Sequence, residues 1–289
     1  MRYGCEINIS AEIAPFLYEA GDPYGVIASA GFDTTDVSWD TQLGAAPAGV
    51  GADAAFRVNA VSRAGLDLIC FHSDLLDAKR TIKENIVMQQ RHMQSARDLG
   101  CSLFLVHSLW VNYAPFDFSC DDTRRRYIDF DVQTLQEIGS QCRAQGLSLV
   151  IENNPMFPLS YYVELFDEIP PQNAGMCLDV GHANIQSPGS PGSPGTPGSE
   201  TLLTDWIHAL GHRIEHLHLH GNDGKNDVHL PILAPGGIVD WKACFHALKA
   251  INYCGVIQEE LPPMTGAKRI RWALLERGVG PIRELWESS

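Results

Sequence analysis

Ionisable side chains stand at the ends of several short apolar runs in this chain. Glu152 follows the run LVI, Asp179 follows MCL, His218 lies at the centre of HLHLH, and the last such run ends with Glu259 and Glu260. Converging groups of this kind repel one another and are costly to desolvate unless a cation compensates them. Carboxylates with an imidazole suit Mn²⁺, Zn²⁺, Co²⁺ or Mg²⁺. The pattern therefore predicts a divalent metal site.

The elements that must position these groups are short strands alternating with helical segments. Strand-like apolar runs are predicted at 3–9, 35–39, 66–73, 102–108, 147–154, 175–182, 215–222 and 255–261. Strands that alternate with helices form parallel β-α units, and eight units in under 300 residues match a (β/α)8 barrel. We expect one α/β TIM-barrel domain over residues 1–289, with its active site at the C-terminal ends of the strands. A doubly wound open sheet is the alternative, but no G-x-G-x-x-G follows the first strand.

Helical periodicity is clearest at 76–99, 121–145 and 240–251, with a further helical segment at 268–286 after the last strand. The second β-α unit is the weakest, because glycine and proline between residues 21 and 31 make a poor helix pattern. We therefore expect little helix there.

Strand parity predicts which polar side chains can meet. Alternate residues of a strand share a face, so the histidines of the run at 216–220 point to one side and its leucines to the other. The leucines should face the helices, which places the histidines inside the barrel. By the same count Asp179 shares a face with Cys177, and Glu152 shares one with Val150. For the eighth strand, parity leaves both adjacent glutamates open.

One segment, at 187–199, differs in composition from the rest of the chain. It reads SPGSPGSPGTPGS, and such a sequence favours an irregular, partly polyproline-II loop. We interpret it as a low-complexity surface insertion within the barrel domain, since loops accept insertions readily. The alternative is a flap over the active site, because this loop leaves the C-terminal end of the sixth strand.

Charge and cysteine usage exclude several classes of protein. The 289 residues contain 21 Lys+Arg against 35 Asp+Glu, giving a net charge of −14, which disfavours nucleic acid as a partner. No apolar run is long enough to cross a bilayer, and the N-terminus lacks the basic and apolar segments of a signal peptide. The 8 cysteines are scattered without a C-x-x-C pair, which indicates reduced thiols. We expect a cytoplasmic protein.

The motifs taken together resemble the xylose isomerase-like barrel superfamily. That superfamily includes ketose 3-epimerases, inosose dehydratases and isomerases, and endonuclease IV-type nucleases. The similarity extends from about the third strand onward, and its motifs are IENNP at 151–155, LDVGH at 178–182, HLH at 216–218, NDGKNDVHLP at 222–231, GIVDW at 237–241 and the spacing from Tyr253 and Gly255 to Glu260.

The resemblance implies a metal site with a defined set of ligands. The metal would be held by Glu152, Asp179, His218 and Glu260, and the family's Gly-to-Glu interval is what favours Glu260 over its neighbour. Endonuclease IV-type enzymes hold three zinc ions with nine ligands, and counterparts of the remaining five are His72, His107, His182, Asp227 and His229. In a single-metal enzyme these five would contact substrate, His182 above all. Trp110, near a strand end, could pack against the C–H face of a sugar.

One position departs from the family pattern. An acidic residue usually stands three positions after the metal-binding histidine, and here that residue is Gly221. Asp223 could compensate, or the site has changed to accept another substrate.

The resemblance implies a sugar isomerase or epimerase that depends on a divalent metal, with Mn²⁺ as the leading candidate. Glu152 and Glu260 would stand on opposite sides of a sugar, ketose or polyol and transfer a proton through an enediolate. The alternatives are a dehydratase or lyase, an endonuclease IV-like zinc phosphodiesterase, and a barrel that binds sugar without turnover. The partner would be a small molecule rather than a membrane or nucleic acid. Barrels of this family often pair, so a homo-oligomer is also open.

Overall fold

Eight parallel strands close into a barrel in the structure of the protein, which is a computed structural model. It describes residues 1–7, 23–38, 58–109, 120–185, 201–261 and 277–289. The strands are β1 (Arg2–Ile7), β2 (Thr34–Ser38), β3 (Asp67–His72), β4 (Leu103–His107), β5 (Ser148–Glu152), β6 (Gly175–Asp179), β7 (Ile214–Leu219) and β8 (Val256–Leu261).

Each strand pairs in parallel with the next along the chain, and β8 pairs with β1 to close the barrel. The closing register runs from Arg2 opposite Val256 to Ile7 opposite Leu261, and it places Glu6 opposite Glu260. The predicted (β/α)8 architecture is confirmed. Trp110 and the insertion predicted at 187–199 lie outside the described residues.

The helices are α1 (Pro23–Ser29), α2 (Ile82–Asp98), α3 (Asp121–Ala144), α4 (Leu159–Glu168), α5 (Val180–Ile185), α6 (Leu203–Leu210), α7 (Trp241–Ala250) and α8 (Gly280–Ser288), and residues 58–64 are helical as well. The weak helix pattern between residues 21 and 31 was misleading. Pro23 is the first residue of α1, where the missing N–H costs nothing. Gly31, with φ 89°, follows the end of the helix. Helix α2 begins six residues later than predicted, because Thr81 and Glu84 form a capping box. Among the described residues no helix combines the length and apolar character needed to span a bilayer.

Two apolar layers lie on opposite sides of the sheet. The inner layer consists of Cys70, Leu105, Val150 and Cys177, one from each of four neighbouring strands, all fully buried. The outer core packs the helices against the sheet and includes Leu217 and Leu219. Both leucines therefore face the helices, as strand parity predicted. All eight cysteines are free.

Candidate active site

The polar groups of the barrel mouth stand directly above the inner apolar layer. Because side chains alternate along a strand, the residue two positions after each inner-layer residue also points inward. Those residues are His72, His107, Glu152 and Asp179, and each is the last residue of its strand. The mouth is thus lined by ionisable groups at the C-terminal ends, where barrels of this fold place their chemistry.

Three of the predicted metal ligands converge around one imidazole nitrogen. The Nδ1 atom of His218 lies 3.4 Å from Oε2 of Glu152 and 3.3 Å from Oε2 of Glu260. All three side chains are buried. The adjacent Glu259 instead points away from this group, and its Oε1 accepts a hydrogen bond from the backbone N–H of Ile232 at 3.0 Å. Of the two glutamates, Glu260 therefore faces His218 and Glu259 faces Ile232.

The electrostatics of this group couple its carboxylates to its imidazoles. Burial would raise the pKa of Glu152, but His107 and His218 hold that pKa well below its usual range. Burial likewise opposes ionisation of Glu260, yet His229 and His218 keep its pKa well below the ordinary value. Conversely, burial would lower the pKa of His218, while Cys177, Glu152 and Glu260 raise it well above its ordinary range. Without a cation, the imidazoles compensate the buried carboxylates.

Asp179, the fourth predicted ligand, lies at the junction of β6 and α5. Its backbone N–H donates to Oδ1 of Asn153 at 2.8 Å, and the Asn153 amide donates back to the Asp179 carbonyl at 2.9 Å. Oδ1 of Asp179 accepts the backbone N–H of His182 at 2.6 Å. Because this contact starts a helical turn, the predicted strand at 175–182 ends at Asp179, and His182 lies on α5.

A second polar group lies on the side of the mouth next to β6 and β7. It consists of His182, His220, Asp227 and His229. His182 Nε2 is 3.1 Å from Oδ2 of Asp227, while Oδ1 of Asp227 is 3.2 Å from His229 Nε2 and 3.5 Å from His220 Nε2. The rings of His220 and His229 stack with centroids 3.8 Å apart. His220 also contacts Oδ1 of Asp179 at 3.1 Å, which links this group to the predicted metal ligands.

Two further predicted site residues, His72 and His107, lie beside Glu152. Their Nε2 atoms are 2.9 Å apart, and each is near Oε2 of Glu152, at 3.6 Å for His72 and 3.5 Å for His107. The Oε2 atom of Glu152 thus lies within 3.6 Å of ring nitrogens of His72, His107 and His218.

Two acidic residues of the mouth were missed by the sequence analysis. Glu6 at the end of β1 is fully buried and lies 3.5 Å from Nε2 of His218 through its Oε2 atom. Asp36 on β2 accepts from His216 Nε2 at 2.7 Å. Strand parity could have found Glu6, because Gly4 and Glu6 alternate with Tyr3 and Cys5 as small-then-acidic inward positions.

The position that departs from the family pattern is occupied by a backbone contact. Gly221 and Leu230 exchange two backbone hydrogen bonds, at 2.6 and 2.7 Å. The carboxylate of Asp223 accepts hydrogen bonds from the backbone of Lys225 and Asn226 within the same loop. The Asp223 carboxylate is therefore engaged within its own loop. Asp227 is the acidic residue of this loop that reaches the mouth.

The donor set of the mouth fits a divalent cation. Each of the four predicted ligands has at least one buried atom with no hydrogen-bond partner among the described residues, namely Oε2 of Glu152, Oδ2 of Asp179, Nδ1 and Nε2 of His218, and Oε2 of Glu260. Buried polar atoms are normally paired, so such a set indicates a missing partner. Groups that could hold a metal ion include Glu152 with Cys177 and His218, His72 with His107 and Glu152, and the four residues of the second polar group.

The chain is thus a closed eight-stranded β/α barrel with buried carboxylates and histidines at the C-terminal ends of its strands. Residues 25–276 match the model of a particular family, the xylose isomerase-like TIM barrel. The chain belongs to this family.

Two uncharacterised proteins are similar in sequence. One, from Methanocaldococcus jannaschii, is 28% identical over 180 residues, covering 58% of this chain and 53% of the relative. The other, from Sinorhizobium fredii, is 27% identical over 150 residues, covering 52% of this chain and 40% of the relative. The matched region thus spans about half the length of these curated relatives.

Solved structures share the fold over nearly the whole chain. A D-tagatose 3-epimerase-like protein has a TM-score of 0.71 at 21% identity, covering 98% of this chain and 99% of its own. The D-psicose 3-epimerase of Clostridium cellulolyticum H10 has a TM-score of 0.69 at 15% identity and 99% coverage of both chains. A putative xylose isomerase of Rhodospirillum rubrum reaches 0.74 at 16% identity, covering 98% and 99%. At these identities the likeness is one of fold.

Proposed function

We propose that the protein is a sugar isomerase or epimerase, acting on a ketose or a related polyol and dependent on one divalent metal ion, with Mn²⁺ as the leading candidate. The observation that carries this proposal is the convergence of Glu152 and Glu260 on Nδ1 of His218 at the barrel mouth. Each of the two carboxylates has a buried oxygen that lacks a hydrogen-bond partner among the described residues. Family membership and the names of the solved structures support the substrate class.

The residues proposed to hold the cation are Glu152, Asp179, His218 and Glu260. When bound, a divalent cation there supplies Lewis-acid polarisation of a substrate carbonyl, which acidifies the neighbouring C–H group. Carboxylates and imidazole are ligands that Mn²⁺ and Zn²⁺ accept.

Proton transfer is assigned to the two glutamates of this set. The imidazoles keep both carboxylates ionised, which is the form that a general base requires. In the proposed reaction Glu152 or Glu260 removes the proton next to the carbonyl, and the other returns a proton to the resulting enediolate. Return to the opposite face gives an epimer, and return to the neighbouring carbon gives an isomer.

His182 is proposed to orient a substrate hydroxyl. Its Nδ1 atom lies 2.7 Å from the backbone carbonyl oxygen of Asn153, so the proton on Nδ1 is donated to that oxygen. Its Nε2 atom faces Asp227 and the mouth. His72, His107, Asp227 and His229 line the same space and are proposed as further substrate contacts.

The test has two stages. Elemental analysis of the purified protein should find about one divalent ion per chain. With that metal restored, a panel of ketoses and polyols in D₂O should show deuterium incorporation at the carbon next to the carbonyl. E152Q and E260Q should lose the incorporation, whereas E259Q, which alters a buried glutamate outside the site, should retain it. Absence of bound metal, or full exchange activity in E152Q, would refute the proposal. Ketose binding without exchange would instead indicate a binding protein, and loss of a β-substituent a lyase.

A second candidate is an endonuclease IV-like zinc phosphodiesterase, favoured by the presence of all nine counterpart ligands in the mouth. His72 and His107 lie beside Glu152, and His182, Asp227 and His229 form a group of their own. The net charge of −14 counts against DNA, because phosphate contacts dominate such affinity. About three zinc ions per chain, together with cleavage of a duplex containing an abasic site, would favour the nuclease.

A further inference from the structure

Glu6 bridges two histidines of the mouth. It is fully buried at the end of β1. Its Oε1 atom lies 3.6 Å from Nδ1 of His72, and its Oε2 atom lies 3.5 Å from Nε2 of His218. These are ion-pair separations, and one carboxylate contributes a separate oxygen to each ring.

The opposite nitrogens of the same two rings both lie near one oxygen of Glu152, and they have a nearer neighbour each, Nε2 of His107 at 2.9 Å for His72 and Oε2 of Glu260 at 3.3 Å for His218. Nε2 of His72 is 3.6 Å from Oε2 of Glu152, and Nδ1 of His218 is 3.4 Å from that same oxygen. Each imidazole therefore lies between two carboxylates, with Glu6 on one side and Glu152 on the other. A neutral imidazole has one N–H and one bare nitrogen, and the partner of the N–H decides which nitrogen is bare.

We propose that Glu6 is a positioning residue that fixes the tautomers of His72 and His218. It accepts the ring protons of His72 Nδ1 and His218 Nε2, so that the bare Nδ1 of His218 faces Glu152 and Glu260 while the bare Nε2 of His72 accepts the Nε2–H of His107. The inference rests on the proposed function, because the bare Nδ1 of His218 is the atom that would bind the cation. A carboxylate behind a metal-binding histidine also raises its basicity as a ligand.

Asp36 is the other carboxylate near His218, and its geometry gives it a different role. Its Oδ2 atom lies 3.7 Å from Nε2 of His218 but only 2.7 Å from Nε2 of His216. Asp36 is therefore paired first with His216. Glu6 is the closer of the two to His218, and its second oxygen faces His72.

The experiment uses the full chain loaded with one equivalent of Zn²⁺, a diamagnetic probe. Long-range ¹H–¹⁵N spectra of the histidine rings should show the proton on Nδ1 of His72 and on Nε2 of His218. In E6Q these tautomers should be lost or mixed, and competition with a chromophoric chelator should show zinc affinity reduced by about 10- to 100-fold. E259Q, a buried glutamate whose side chain points away from the mouth, should match the wild type in both measurements.

The outcomes separate this inference from the proposed function. If the wild type binds no zinc, the metal-dependent function fails and the inference fails with it. If the wild type binds zinc with the proton on Nε2 of His72 or Nδ1 of His218, the role of Glu6 is refuted while the function stands. Zinc affinity of E6Q equal to that of E259Q would refute it as well. Should E6Q not fold, the wild-type ring spectrum still decides, and Glu6→Asp, which keeps the carboxylate, should retain the wild-type tautomers.

Discussion

Replacing Asp131 with asparagine should make the stability of the protein less sensitive to pH. Asp131 lies on α3 and is fully buried. Its carboxylate accepts the backbone N–H of Leu109 at 3.0 Å and the hydroxyl of Tyr161 at 2.7 Å, and it thereby holds the segment that follows His107. Burial raises the pKa of Asp131 to about 7, against the opposing effect of these hydrogen bonds.

The pKa difference of Asp131 between the folded and unfolded states sets how the free energy of unfolding changes with pH. The ordinary pKa is 3.8 and the folded value about 7, so the folded state holds the proton more tightly than the unfolded state. The stabilisation from this proton is complete below pH 3.8 and is lost as the pH rises to about 7. At about 1.4 kcal/mol per pH unit, the full loss is roughly 4 kcal/mol, of which about 2–3 kcal/mol falls between pH 5 and 8. Asparagine has the shape of the protonated acid and does not titrate.

The assay is urea unfolding followed by tryptophan fluorescence at pH 5 and pH 8. D131N should exceed the wild type by about 1–2 kcal/mol at pH 5 and by about 4 kcal/mol at pH 8. D129N removes an exposed carboxylate of the same helix that pairs with Arg125, and it should follow the wild-type pH dependence. If the curves of D131N and wild type run parallel from pH 5 to 8, Asp131 does not titrate as argued.

Three further predictions concern the mouth. G181A should lower the free energy of unfolding by about 1–3 kcal/mol, because the added Cβ would lie 2.0 Å from Cε1 of His220. The measurement is urea titration, and the control is G280A, whose added Cβ has open space around it. Mn²⁺ or Zn²⁺ at 100 times its dissociation constant should raise that free energy by about 2.7 kcal/mol, as measured against EDTA, and E152Q should show no such gain. E260Q should slow proton exchange of a ketose substrate by at least about 10²-fold in deuterium-incorporation assays while its far-UV circular dichroism is unchanged.

The barrel could be predicted from the sequence because its signals are local. Each strand is a short apolar run. The alternation of side chains along β5 and β6 predicts by itself that Glu152 and Asp179 point into the barrel. The ends of these strands could not be predicted in the same way. His182 continues the apolar pattern of β6, but the hydrogen bond from its backbone N–H to Asp179 begins a helix instead.

Strand parity could have placed Glu6 on the inward face of β1, but its role depends on contacts with residues distant in sequence. Nothing in the first strand resembles a ligand motif, and Glu6 matters only because β1 closes the barrel against β8, opposite Glu260. The orientations of Glu259 and Glu260 likewise depend on contacts that are distant in sequence. Both are buried, and only the register of the closed barrel turns one towards His218 and the other towards Ile232.

The layering of the barrel interior explains how so many charges are held in one place. The barrel below the mouth is filled by the inner apolar layer of Cys70, Leu105, Val150 and Cys177. The ionisable groups two residues further along each strand therefore lie directly above apolar side chains. In such surroundings a carboxylate is costly unless it is paired, and the histidines provide that pairing in the absence of a cation. A bound cation would take over this compensation and release the imidazoles from it. The apolar layer below the mouth is therefore the reason that its carboxylates and imidazoles lie together in pairs.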